Sequence, residues 1–363
     1  MSAPLDVQRC GAVTAVGLSA AQTCAAIRAR ISGVADVFPA QPPKPPVAGA
    51  RVPAAHELRR SPARWLANLA ARAVRECLGA EDAARTALVL SVPEAYRRHP
   101  GLAAEAPGRL LEQVEARLGV RFHPSSRVVQ DGHAGAASAL ALARELLGRA
   151  ELTGCIVGGV DSLLNAEDVG RLQAAFRLKD ANEPQGVIPG EGAACVLVTR
   201  ADERATPLAR VVGVGLAQEP DTALGPRFSQ GRGIRRALEA ALRDARVAEA
   251  SLDWRVSDMN GERYRAWETL LTEFRFYRTR RESFSPTYFA ASVGDLGAAA
   301  GALGLVTAVA GLSRGWAPGP RAVCEASSDE GLRGAVVVDA PREGPRPPFR
   351  AGAGWPAGFC AVS

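Results

Sequence analysis

Two stretches of this chain, 134–143 and 296–304, carry little but alanine, glycine and leucine on every face. Glycine inside a helix costs about 1 kcal/mol relative to alanine, so such segments form helices only where close packing compensates. Both must therefore be sandwiched between other layers. Around them the pattern alternates between strand and helix. Residues 7–17 and 86–92 read as strands, 20–31, 61–78 and 107–118 as helices, with Ser19 as an N-cap and Pro107 in a first turn where its missing N–H is harmless. The second half repeats the scheme: strands over 208–216 and 254–259, a helix over 231–246, one ending a Trp/Leu/Phe run over 267–276, one continuous Gly/Ala-rich helix over 292–312, then closing strands at Val323 and 333–338. Such alternation predicts an α/β fold with a mostly parallel sheet covered on both faces. Residues 38–53, rich in proline, read as an extended surface connection.

The turn Gln130-Asp131-Gly132-His133-Ala134-Gly135 opens into the first small-residue helix. Whatever side chain stands there faces a pocket at a helix N-terminus, and here it is His133. Downstream follow Gly154-Cys155-Ile156-Val157-Gly158-Gly159-Val160-Asp161 and Gly186-Val187-Ile188-Pro189-Gly190-Glu191-Gly192-Ala193.

Composition excludes several classes. Hydrophobic residues make up 47% and charged residues 23%, the balance of a soluble globular protein. Net charge is +6, nearly all of it arginine, since Lys44 and Lys179 are the only lysines. The arginines are scattered without an aromatic stripe, so no nucleic-acid surface is expected. Seven cysteines, odd in number and without a Cys-x-x-Cys pair, fit reduced thiols in the cytoplasm. Cys155 and Cys195 read as buried hydrophobes, and Cys324 as a candidate relocated thiol. No run of about 18 uninterrupted apolar residues predicts a membrane span, no cluster has zinc spacing, and Gly231-Arg232-Gly233 lacks the context of a nucleotide loop. No cofactor is expected.

In order and spacing, the three glycine-bearing stretches resemble the N-terminal half of the β-ketoacyl-acyl carrier protein synthases of the thiolase-like superfamily, the Gly-Glu-Gly-Ala run being the most specific. The resemblance implies a duplicated αβαβα layered architecture, with two buried helices between two mixed sheets. It places one half over 1–200, a second over 201–340, and leaves a Pro/Gly-rich tail over 341–363 outside. It also implies a dimer, with itself or with a ketosynthase, and a possible acyl carrier protein partner.

That family uses a cysteine nucleophile at the first buried helix and two histidines from the second half, by which acyl transfer and enolate stabilisation proceed. Laid against this chain, the cysteine falls on His133. The histidine of a His-Gly-Thr motif falls on Asn260 in Met259-Asn260-Gly261-Glu262, and that of a Gly-His motif on Asp295. The only histidines are His56, His99, His123 and His133, so none lies in the second half and the triad cannot be assembled. His133, Asn260 and Asp295 are expected to converge, joined by Glu262, Arg263, Ser328 and Asp329 as a polar lining. Three readings stay open: a repurposed acyltransferase or thioesterase-type enzyme with His133 as base, Asp295 orienting it and Asn260 donating to an oxyanion; a structural ion pair in a dead site; or a silent partner subunit of the chain-length-factor kind. Arg275-Phe276-Tyr277-Arg278-Thr279-Arg280-Arg281 reads either as a solvated helix end or as a dock for an acidic partner.

Overall fold

The computed structural model describes residues 3–38, 46–54, 59–79, 82–102, 106–181, 183–281 and 284–341. The expected tail beyond 341 and prolines 39, 42, 43 and 45 lie outside the described residues.

The first half runs β1 (Leu5–Val13), α1 (Ala20–Arg28), β2 (Val34–Phe38), β3 (Val47–Ala50), α2 (Pro62–Leu78), β4 (Thr86–Ser91), α3 (Arg109–Leu118), β5 (Arg127–Val129), α4 (Gly135–Leu147), β6 (Gly154–Ser162), α5 (Ala166–Ala174) and β7 (Glu191–Arg200). The second runs β8 (Ala209–Gln218), α6 (Arg232–Ala245), β9 (Trp254–Ser257), α7 (Arg263–Arg275), β10 (Thr287–Tyr288), α8 (Ala300–Arg314), β11 (Arg321–Ser327) and β12 (Leu332–Asp339). Helix starts follow local chemistry. The Ser19 and Ser61 side chains accept from the amides of Gln22 and Arg64, and Pro62 sits in the first turn of α2.

The strands lie in the order β10-β9-β11-β12-β8-β1-β7-β6-β4-β5. From β1 outward the pairings are antiparallel, antiparallel, parallel, parallel; from β8 outward they are the same. Each half is thus one mixed five-stranded sheet built to one plan. The two meet where Leu5–Val7 of β1 pair with Val211–Ala209 of β8, so the expected pair of sheets is joined into a single ladder.

The small-residue helices α4 and α8 occupy the space between the two sheets, each touching strands of both halves. Twelve of the fifteen residues of α8 are buried. Its apolar reach, Gly297–Arg314, has the length and composition of a membrane span, but 83% of it is buried inside this core. Side chains of α4, α8 and both sheets form one apolar cluster, while α2 and α3 cover the outer face of the first sheet and α6 that of the second. Close approach explains the glycines that line this layer. A Cβ on Gly159 would lie 2.0 Å from the Ala298 carbonyl oxygen, and one on Gly301 2.4 Å from that of His133.

The sheet was expected to be mostly parallel, but five of its nine strand pairings are antiparallel. Two more expectations need correction. The predicted continuous helix over 292–312 is interrupted: a single turn, Ala290–Val293, ends at Gly294 with φ +69°, and the helix resumes only beyond Gly297. Between them Asp295 donates its amide to Ile188 (2.7 Å) and accepts from Gly190 (2.9 Å), so the chain pairs as a bridge rather than coiling. Part of the supposed surface connection, Val47–Ala50, is a strand paired with Val34–Phe38, and Ala50 and Val52 are buried. Helix α5 also went unforeseen, although Asn165 caps it and Glu167 and Asp168 occupy its first turn.

Candidate functional site

The interruption before α8 and the turn before α4 bring two side chains face to face. Gly132 adopts φ +58°, with the Glu94 carboxylate packed where a Cβ would stand, and the chain then turns His133 into the space between the helix N-termini. His133 Nε2 lies 2.8 Å from Asp295 Oδ1. The same oxygen accepts from the Gly297 amide at 2.7 Å, and Asp295 Oδ2 accepts from Asn260 Nδ2 at 2.6 Å. Asn260 Oδ1 in turn accepts from the Glu262 amide at 3.1 Å. The three residues laid against the ketosynthase triad therefore form one hydrogen-bonded chain, each under a tenth exposed.

A second ring of charge closes over this chain. Arg177 bonds to both Glu262 and Asp329, and Arg265 reaches Asp329 at 3.4 Å and Asp258 at 3.6 Å. Tyr96 donates to Asp329 at 2.7 Å. Glu94 accepts from the amides of Asp329 (3.2 Å) and Glu330 (2.7 Å). Ser328 Oγ accepts from the Ala134 amide at 2.9 Å and donates to the Asp131 carbonyl, pinning the 328–331 turn to the start of α4. Arg263 is not part of this. It faces solvent and pairs with Glu183 at 3.3 Å, and Arg265, two residues on, takes the inward position.

The electrostatics favour a closed ionic plug. Burial pulls the His133 imidazolium toward deprotonation, but the Asp295 charge and hydrogen bond outweigh it and raise the pKa to about 9. Burial likewise raises Asp295, yet His133, Asn260 and the Gly297 amide hold its carboxyl well below the usual range. Asp329 is also raised by burial and then held low by Arg177 and Arg265. Burial pushes Glu94 and Asp258 up. Five carboxylates thus face three cations, and these two most readily keep a proton. A cavity of about 10 Å³, lined in part by Asp258, Arg265 and Glu268, has room for about one water.

Chemically, the upward shift favours the imidazolium form of His133, which lacks the lone pair a general base needs. Its Nδ1 is buried and has no partner among the described residues. Cys324 is buried and its thiol is pushed up, away from the thiolate a nucleophile requires; Cys155 behaves alike, its pKa raised to about 12. The six cysteines among the described residues are free. The amide of Gly233 is taken at 2.7 Å by the buried Glu219 carboxylate, which fills the start of α6.

The ion pair predicts a pH profile. Below about pH 6.5, His133 is charged in the folded and unfolded chain alike and its pairing contributes in full. Its contribution falls as pH rises through the folded pKa of about 9, a loss on the order of 3 kcal/mol across that window. Urea unfolding of wild type should show it between pH 6 and pH 10. A His133→Gln variant should lack that component, and an identical profile in both would refute the assignment.

Other motif residues hold the frame. Asp161 accepts from the Ala298 amide at 2.9 Å and pairs with Arg97, which also pairs with Asp168 at 2.6 Å. Glu191 of the Gly-Glu-Gly-Ala run accepts from Trp65 (2.8 Å), Val52 (3.0 Å) and Ser162 (3.0 Å) and pairs with Arg59 (2.6 Å).

Among solved structures, the ishigamide ketosynthase/chain length factor matches with a TM-score of 0.74 at 17% identity, over 94% of this chain and 100% of that one. The fold is that of the ketosynthases. A ketosynthase, ApeO, in complex with its chain length factor ApeC from Xenorhabdus doucetiae gives 0.74 at 15% identity, over 93% of this chain and 98% of that one. A β-ketoacyl synthase from Burkholderia phymatum gives 0.71 at 16%, over 94% and 100%. At these identities the likeness is one of fold. No protein-family model and no curated protein matches the chain.

Proposed function

We propose that this chain is a ketosynthase-like subunit without condensing activity, acting as the partner or scaffold of a ketosynthase in thioester-based fatty acid or polyketide assembly. The observation that carries the reading is the 2.8 Å ion pair between His133 and Asp295. It stands where the resemblance puts the nucleophile and a histidine of the ketosynthase triad, and it is sealed by Arg177, Arg265 and Asp329. A silent site on an otherwise complete ketosynthase fold leaves shape as the retained property, and shape serves assembly. Two of the structural neighbours are named as ketosynthase and chain length factor pairs, which supports a heterodimer. The alternatives are a homodimer and an acyl carrier protein partner.

The second reading, an acyltransferase or thioesterase-type enzyme using His133, rests on the His133–Asp295–Asn260 chain itself, which has the contacts of an oriented acid/base group. The raised pKa of His133 and its burial weigh against this reading.

Co-expression with a ketosynthase from the source genome tests the partner reading. A one-to-one complex surviving gel filtration is expected. A stable homodimer that takes up none of the ketosynthases offered would count against it.

A further inference from the structure

We infer that the outer face of α7, with the basic turn that follows it, is a docking surface for an acidic amphipathic helix of a partner protein. Trp267, Leu270 and Phe274 stand on this face at 43%, 42% and 74% exposure. Their spacing of three and four residues aligns them in one row, roughly 10 Å long at a rise of about 1.5 Å per residue. Aromatic anchors in such a row are the groups from which helix-to-helix contacts draw most of their energy.

Where the row ends, positive charge begins. Arg275, Arg278 and Arg280 are exposed, and Arg278 and Arg280 make no ion pair among the described residues. Arg275 donates to the Gln230 carbonyl at 2.6 Å. Among the described residues, two neighbouring carboxylates are already engaged: Glu273 by Arg255 at 3.0 Å, and Glu249 by Arg281 at 2.7 Å. Two grooves flank this end of the helix. One, of about 530 Å³, is lined by Tyr277, Arg278, Arg280 and Phe284; the other, of about 620 Å³, by Arg243, Arg246, Val247 and Phe276.

An apolar row running into exposed arginines calls for a partner with the opposite arrangement, an apolar ridge flanked by carboxylates. A single row of three apolar side chains suits the ridge of a helix better than the broad apolar plane of a lipid surface. This surface is separate from the His133 site, and the inference stands whether or not that site is silent.

The test uses a fluorescein-labelled, lactam-stapled designed helix with leucines on one face and glutamates on the other, and a twin with lysines in place of the glutamates. Anisotropy titration of the full chain should give saturable binding of the glutamate helix, with the lysine twin bound far more weakly. Arg278→Glu/Arg280→Glu and Trp267→Ala/Phe274→Ala should each weaken it about tenfold or more. Unchanged thermal melting of both variants, whose altered side chains are exposed, shows that the fold is kept. Equal binding of the two helices, indifference to both variants, or binding only to phosphatidylglycerol vesicles would overturn the inference.

Discussion

Replacing Asp295 by alanine is expected to cost about 3–5 kcal/mol in urea unfolding at pH 7, the range for removing one partner of a buried pair. The variant strands the His133 imidazolium beside Arg265, with desolvation and a like charge both acting to expel its proton. It also leaves the Asn260 side-chain amide and the Gly297 amide without their acceptor. The sign with pH then inverts. A histidine whose folded pKa falls below its ordinary 6.5 destabilises most in acid, so the variant should recover part of the loss as pH rises toward 8. Wild type shows the opposite slope over its own window. The double variant His133→Leu/Asp295→Leu should lie closer to wild type than Asp295→Ala, because no buried charge remains. A loss below about 1 kcal/mol for Asp295→Ala would place the pair in contact with water.

Arg97→Ala should be comparably severe, about 3–5 kcal/mol by the same rule. This guanidinium sits between two buried carboxylates, Asp161 and Asp168, on β6 and α5. Burial raises Asp168, but Arg97 outweighs it and holds the carboxyl well below the usual range. Asp161 also accepts the Ala298 amide just before α8, so loss of Arg97 loosens the entry to the buried helix as well as the ion pair. Asp168 keeps Arg171 at 2.8 Å but loses its largest source of stabilisation, so the variant should regain stability as pH falls and the buried carboxylate charge is neutralised, whereas a merely lost packing contact would be independent of pH. Combining Arg97→Ala with Asp161→Asn and Asp168→Asn should restore part of the loss at pH 7. Thermal melting across pH 4–8 reads both effects.

The fold was largely legible because its signals are local. Alanine, glycine and leucine on all sides of 134–143 and 296–304 force burial, and strands alternating with helices leave few ways to achieve it. The meeting of His133, Asn260 and Asp295 was legible through the ketosynthase resemblance, since the motif spacings place each residue at a strand or helix end. The seal was not. Arg263 and Arg265 differ by about 200° around a helix, so selecting the inward one requires the exact register of α7, and composition does not carry that. Arg177 follows α5, a helix whose cap was visible at Asn165 but whose short polar run carries no strong periodicity. Glu94 and Tyr96 reach Asp329 across more than two hundred residues of chain, a pairing set by topology alone. The break at Gly294-Asp295 was likewise hidden, because Ala-rich sequence on both sides reads as one helix until a strand end pairs with it.

The proposal that the His133 site is a protonated structural plug is tested most directly by mass spectrometry. Purified wild type and His133→Ala are incubated with a panel of acyl- and malonyl-thioesters, following both protein mass and released thiol. The account predicts no acyl adduct and equal background thiol release from both proteins. Product that forms with wild type and vanishes with His133→Ala would contradict it and establish an acyltransferase or hydrolase.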